Sequence, residues 1–236
     1  MTRYSLVLIM SSFFSVHALG QPSGCEYPEN GSYECKMGGV VLESGYFENG
    51  LKNGEFKKYT FGGKLLVQEN YVDDRREGES RTFYEDGQLK FLRKYQNGIR
   101  TSDESFWEDG KHKYKRFADA NGRQGTHYEY WQNGEPRLSQ VWKDDVIQLS
   151  TDFNEQGNKI HEIQFTDGVD TYMRAYYPGG QLSEEGPLLQ GYRDGHWKIY
   201  DEAGTLRMEG NYLDDKRIGE WKAYDEKGML VQTKTF

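Results

Sequence analysis

A glycine recurs every 23 or 24 residues along most of this chain, always with an aromatic residue four positions before it. That period limits the possible folds more than any other feature. The anchors are Gly63, Gly87, Gly110, Gly134, Gly157, Gly180, Gly204 and Gly228. The aromatics before them are Tyr59, Phe83, Phe106, Tyr130, Phe153, Tyr176, Tyr200 and Tyr224. A weaker ninth copy is anchored at Gly39, with Cys35 in the aromatic slot. Self-similarity at such a period marks one supersecondary unit stacked on copies of itself.

A second column stands eight residues after each anchor: Phe47, Tyr71, Tyr95, Trp142, Phe165 and Tyr212, with Leu188 substituting once and Phe117 one place early. The rhythm is therefore a half-repeat. Turn residues follow it, with Asp86-Gly87, Asp109-Gly110 and Asn133-Gly134 at anchors. Midway between anchors lie Asn49-Gly50, Asp73-Asp74, Asn97-Gly98, Asp144-Asp145, Asp167-Gly168 and Asp214-Asp215. Such pairs supply the positive φ angles of two-residue hairpin turns. Each unit thus predicts two strands and two turns, and the chain predicts an all-β, elongated antiparallel meander of about sixteen strands. Helices are expected to be nearly absent after residue 24. Aromatics at 15% of the chain and 28 glycines fit strands and tight turns. The eight aromatics before the anchors are expected to form the structural ladder, each packing on the copies beside it.

The phrases GNYLDDKRIGEWKAYDEKGML and SGYFENGLKNGEFKKYTFGGKL resemble MORN repeats in their bacterial variant form. The resemblance runs over about residues 39 to 236 and is strongest in the first two and last two copies. It departs at Thr101, Gln148 and Thr171, where the family prefers glycine, and Pro178 and Pro187 interrupt the sixth copy. Membership implies a β-hairpin array used as a scaffold or binding surface, and no reaction. Some bacterial relatives carry an antitoxin-like label.

Residues 1–20, MTRYSLVLIMSSFFSVHALG, have Arg3, a short apolar core and small residues at Ala18 and Gly20. That is the pattern of a secretory signal peptide, too short for a confident membrane span. Export to the periplasm or beyond is expected, with lipid anchoring at Cys25 the lesser alternative because Pro22-Ser23-Gly24 lacks the aliphatic residue of such signals. Residues 21–38 then read as an N-terminal cap and 39–236 as the array. In an exported chain Cys25 and Cys35 most simply form one disulfide, the alternative being free thiols. The net charge of -8 and the absence of a Lys/Arg cluster argue against nucleic acid.

Chemistry is hard to find in the sequence. His112, His127, His161 and His196 occupy four different places in the repeat, in no metal-ligand spacing. The Asp pairs could suggest calcium, but they recur where turns favour aspartate for backbone reasons. No nucleophile elbow or phosphate loop is present. The chain therefore reads as no enzyme, with no metal and no cofactor. One feature departs from the repeat. The position after the ladder aromatic is itself aromatic only in middle copies, at Tyr84, Trp107, Trp131 and Tyr177. Either these pack beneath a curled sheet with Phe56, Trp197 and Trp221, or they form a docking stripe for an unknown protein or for sugar rings. The leading expectation is an exported scaffold for protein–protein interaction; the alternative is a module binding glycan or cell wall.

Overall fold

The computed structural model describes residues 25–119 and 121–236, which form two compact units. The expected signal peptide lies outside the described residues. Both units are antiparallel hairpin meanders, from Gly31–Met37 to His112–Asp119 in one and from Gly122–Arg123 to Leu230–Thr235 in the other. Among the described residues there is no helix, and there are 22 strands rather than about sixteen. Part of the excess is four two-residue strands, Leu51–Lys52, Arg75–Arg76, Gly122–Arg123 and Tyr192–Arg193, each cut from the strand that follows.

The cut has a single cause. In 24-residue copies a glycine stands nine residues before the anchor, and Gly54, Gly78, Gly125, Gly195 and Gly219 all have φ between +62° and +96°. An extra residue is accommodated there, so the strand kinks; Asn53 N–H, for example, donates to the Tyr46 carbonyl at 2.9 Å. The last 24-residue copy keeps one strand, Lys216–Tyr224, and takes up the extra residue as a register shift opposite Glu209–Asn211. The 23-residue copies carry Thr101, Gln148 and Thr171 at that place, and their strands Ile99–Phe106, Val146–Phe153 and Val169–Tyr176 are likewise undivided. Lost glycine and lost residue are one event, because only the kinked backbone needs the left-handed conformation.

The two kinds of turn differ. Midway turns have positive φ at both central residues, as at Asn49 (53°) and Gly50 (74°), or Asp214 (49°) and Asp215 (63°). These are the expected two-residue turns. The anchor turns are longer than expected. Tyr84 N–H donates to the Gln88 carbonyl and Gly87 N–H returns to the Tyr84 carbonyl, leaving three loop residues of which only the glycine has positive φ.

The core does not sit on the ladder column. Tyr59, Phe83, Phe106, Tyr130, Phe153, Tyr176, Tyr200 and Tyr224 are all only half-buried. The ladder hydroxyls of Tyr200 and Tyr224 donate to Glu185 and Glu209, which pair across strands with Lys198 and Lys222. These residues alternate with Gly186, Trp197, Gly210 and Trp221, so both tyrosines lie on the face away from the buried tryptophans. The core is built seven residues before each anchor instead. Phe56, Trp197 and Trp221 are at most 2% exposed. Each lies flat on a glycine of the preceding strand: a Cβ on Gly45, Gly186 or Gly210 would stand 2.3–2.4 Å from the ring. The tryptophan N–H groups are satisfied by the carbonyls of Pro187 (2.9 Å) and Asn211 (3.1 Å). The second column completes two clusters, Tyr33, Cys35, Phe47 and Phe56 in one unit and Trp197, Tyr212 and Trp221 in the other.

Other copies fill the same cross-strand step differently. Ile163 faces Met173, Gln140 faces Ser150, Arg93 pairs with Asp103 at 3.1 Å, and Ser80 donates to buried Glu69 at 3.2 Å. Large against small, or charge against charge, keeps the step filled and its polar groups bonded.

Cys25 and Cys35 are disulfide-bonded, with Cα atoms 5.6 Å apart. The bond holds Tyr27 against Tyr33 and Phe47, with ring centroids 5.1 and 4.7 Å apart. Lys52 Nζ sits 4.9–5.3 Å from the rings of Tyr27, Phe56 and Tyr71. It also lies 3.8 Å from the buried Glu43 carboxylate, whose charge it and Lys58 offset. Replacing both cysteines by serine should cost about 2–3 kcal/mol, the worth of closing so short a loop. A urea midpoint that does not move would show that the cap is held by packing alone.

Candidate interaction surface

The middle aromatics are tied into the array. Tyr84 donates its hydroxyl to the Phe106 carbonyl (2.8 Å), Tyr177 to the Tyr200 carbonyl (2.7 Å), and Trp131 Nε1 to the Phe153 carbonyl (3.2 Å). Each bond reaches one copy ahead. Trp107 Nε1 is buried without a hydrogen-bond partner. All four side chains are half-buried. Cations cover three rings: Lys90 Nζ lies 5.1 Å from the Tyr84 centroid, Lys113 Nζ 4.5 Å from Trp107, and the Arg137 guanidinium 5.8 Å from Trp131. Copies without an aromatic here also use the position for bonding. Asn154 reaches the Pro178 carbonyl at 3.1 Å, whereas Asp201 and Asp225 accept N–H groups of their own turns. The stripe therefore joins copies, and its rings offer little free face for a sugar.

A second set of bonds lies at the midway turns. The second aspartate of each Asp-Asp pair accepts the backbone N–H one copy back: Asp74 from Lys52 (2.8 Å), Asp145 from Arg123 (3.2 Å) and Asp215 from Arg193 (2.9 Å). The Arg123 and Arg193 side chains also bond these carboxylates, at 2.8 and 3.1 Å. The same guanidiniums lie 3.5 Å from the Trp142 centroid and 4.2 Å from Tyr212. Paired aspartates are thus inter-copy staples.

The Arg123 hydrogen bonds, first that of its side chain, hold the Asp145 carboxyl below the usual aspartate range. A lowered folded value means the stabilisation is complete above the unfolded aspartate value and is lost as pH falls through the folded one. Asp145→Asn should therefore be less stable than wild type at neutral pH. The two urea midpoints should converge on acidification below about pH 4; a constant gap would rule out the staple.

Histidines stay apart. His112 meets Glu104 at 3.0 Å, His196 meets Glu209 at 3.2 Å, His161 lies 3.9 Å from Asp152, and buried His127 stacks on Trp142. Tyr200 is pushed up to about 12 by burial and then by Glu185. The Tyr224 hydrogen bond, foremost, holds Glu209 below its ordinary value. His196 and Tyr224 meet the two oxygens of one carboxylate, Glu209, whereas the His112–Glu104 and His161–Asp152 pairs stand separately. Among the described residues no three His, Cys, Asp or Glu side chains form a metal-binding group, and no helix is long and apolar enough to cross a membrane.

The exposed apolar residues were missed in the sequence. Val146, Val169, Leu189, Tyr192 and Leu213 are exposed at 37–54%, and each of these five flanks a midway turn. Ile218, Met229, Leu230, Val231 and Phe236 are exposed elsewhere in the same unit. Register pairs Lys143 with Val146, Thr166 with Val169, Leu189 with Tyr192 and Leu213 with Lys216. The pair before each turn's closing pair faces the core, as Trp142–Ile147 and Tyr212–Arg217 do, so the closing pairs face the other way. The result is an apolar row along one turn edge, one copy apart. Leu51, Val72 and Ile99 hold the same places in residues 25–119. The available signal was an aliphatic beside each Asp-Gly or Asp-Asp pair, where a turn flank is ordinarily polar.

The MORN repeat variant model matches residues 52–73, 76–97 and 193–214. The chain thus carries MORN repeats of the variant class in both units, and the same glycine-anchored hairpin continues between the matched stretches. Repeats of this class point to a scaffold for protein or membrane interaction. The matched description carries no antitoxin-like label. Among curated proteins nothing matches. Solved structures with local likeness include a GtfA/B complex bound to UDP and GlcNAc, at 13% identity over 53% of this chain and 23% of that one, with a TM-score of 0.19. Another is a TcdB2-TccC3-Cdc42 structure, at 12% identity over 86% of this chain and 13% of that one, with a TM-score of 0.18. This chain thus spans less than a quarter of either, and scores so low carry no argument.

Proposed function

We propose that this chain is an exported, non-enzymatic repeat scaffold that holds a protein partner along its midway-turn edge. The observation that carries the reading is the row of exposed side chains along that edge, Val146, Val169, Leu189, Tyr192 and Leu213, which stands apart from the exposed Ile218 and the C-terminal Met229, Leu230, Val231 and Phe236. An apolar row rimmed by charge is the usual makeup of a protein-binding surface. Export is supported by the apolar leader sequence and is compatible with the Cys25–Cys35 bond. Glycan binding draws less support, because Tyr84, Trp131 and Tyr177 spend their polar tips on neighbouring carbonyls, and the faces of Tyr84, Trp107 and Trp131 are covered by Lys90, Lys113 and Arg137.

A photo-crosslinking residue placed at Tyr192, and separately at Asn133 on the opposite edge, tests the reading in the native host. Discrete protein adducts from position 192 and none from 133 are expected. Adducts sensitive to glycosidase and resistant to protease would favour the glycan reading. No adduct from position 192 would remove the edge as a docking surface.

A further inference from the structure

We infer that the row Val146, Val169, Leu189, Tyr192 and Leu213 is shaped for a cationic amphipathic helix lying along the copies. This deepens the scaffold reading and rests on it. The first argument is spacing. Two strands per copy advance the row by about 9.6 Å, and seven residues of an α-helix advance about 10.5 Å. A helix with one apolar stripe therefore meets the row once every two turns over three or four copies, a match that needs only slight tilt. Helices of this kind present anchors at such intervals to receptor surfaces.

The second argument is charge. Residues 121–236 carry 20 acidic and 13 basic side chains, whereas residues 25–119 carry 18 and 16, so the acidic surplus is concentrated in the unit holding the longer row. On the turns beside the row stand Asp144, Asp145, Asp167, Asp214 and Asp215, against Lys143 and Lys216. Asp145 and Asp215 are held by Arg123 and Arg193. Those arginines are occupied in turn by the staples and by the Trp142 and Tyr212 rings. An approaching segment thus meets an apolar line whose turn charges outside the staples are Asp144, Asp167 and Asp214 against Lys143 and Lys216, a small acidic surplus. Basic residues flanking its apolar stripe would be attracted, and an anionic lipid surface would be repelled.

The test uses the full chain and three fluorescent 21-residue peptides. One has leucines on a single helical face and lysines elsewhere, one keeps the leucines but has glutamine elsewhere, and one scrambles the Leu/Lys sequence. Anisotropy should show the amphipathic cationic peptide binding at least about tenfold more tightly than either control, since about 1.4 kcal/mol is tenfold, and weakening as salt rises. Val169→Ser with Leu189→Ser and Tyr192→Ser should remove that preference while the urea midpoint holds, because all three side chains are exposed. Equal binding of the scrambled peptide, or an unchanged triple variant, would overturn the inference. So would binding to neutral phosphatidylcholine vesicles lost in the triple variant, which would make the row a membrane contact. Concentration-dependent dimerisation lost in the same variant would also overturn it, by making a second copy the occupant. If Tyr192 crosslinks to protein but the glutamine peptide binds as well as the lysine one, the scaffold reading survives and the cationic assignment falls.

Discussion

Trp197→Ala is expected to destabilise the protein by about 3–5 kcal/mol, the range for deleting a fully buried tryptophan. Its ring has no exposed surface, lies on Gly186 and donates to the Pro187 carbonyl. Removing it leaves a cavity over a residue that has no side chain to fill it. Tyr200→Ala, three residues along the same strand, should cost only about 1–2 kcal/mol, since the tyrosine is half-buried and its main polar link is to Glu185. Urea denaturation of the two variants decides the matter. Equal losses would return the core to the aromatic column before the anchors.

Gly210→Ala should be nearly as harmful despite adding one methyl group. The new carbon would stand 2.3 Å from the Trp221 ring, which is fixed by its bond to the Asn211 carbonyl and covered by Arg217 at 4.4 Å. Neither strand can withdraw without breaking its ladder, so a loss of about 1–3 kcal/mol is expected, towards the upper end. The copy containing Ile163 and Met173 suggests the remedy. Gly210→Ile combined with Trp221→Met should be more stable than the two single losses added together, a favourable coupling of about 1 kcal/mol or more. Additive losses would mean that the pair is not exchanged as a unit.

The meander was legible because its signals are local. Aspartate and asparagine before glycine set turns, and a fixed period sets which strands stack. The core column was not legible by the same route. The aromatic before each anchor occurs in every copy and so was expected to be structural in the buried sense; it instead covers the outer face of an already closed hairpin. Its regularity reflects the anchor turn, which every copy shares. The buried step varies as Phe56, Ser80, Asp103, Ser150, Met173, Trp197 and Trp221, and only reading it jointly with Gly45, Glu69, Arg93, Gln140, Ile163, Gly186 and Gly210 exposes the rule. Likewise Thr101, Gln148 and Thr171 look like lost family positions until each is matched with a copy one residue shorter. Of the candidate site, the four middle aromatics were visible, but the carbonyl partners of Tyr84, Trp131 and Tyr177 were not, since those bonds join residues 22 or 23 positions apart.

The varied buried step grades each unit along its length. A copy in such an array draws its stability from its neighbours alone. Strands beside Phe56, or beside Trp197 and Trp221, are clamped by large rings; those at Arg93–Asp103 and Gln140–Ser150 are held by groups that water can also satisfy. Backbone amides should then exchange with deuterium slowest in Val40–Glu48 and Gly195–Tyr200, and orders of magnitude faster in Leu89–Gln96 and Pro136–Lys143. Val146 pairs into the stretch expected to exchange quickly, and Leu213 lies on the strand paired with the slow Gly195–Tyr200. A ligand spanning both would fasten a segment that opens often to one that seldom does. Its arrival would be read most clearly as slowed exchange around Gln140, far along the chain from either tryptophan of the core.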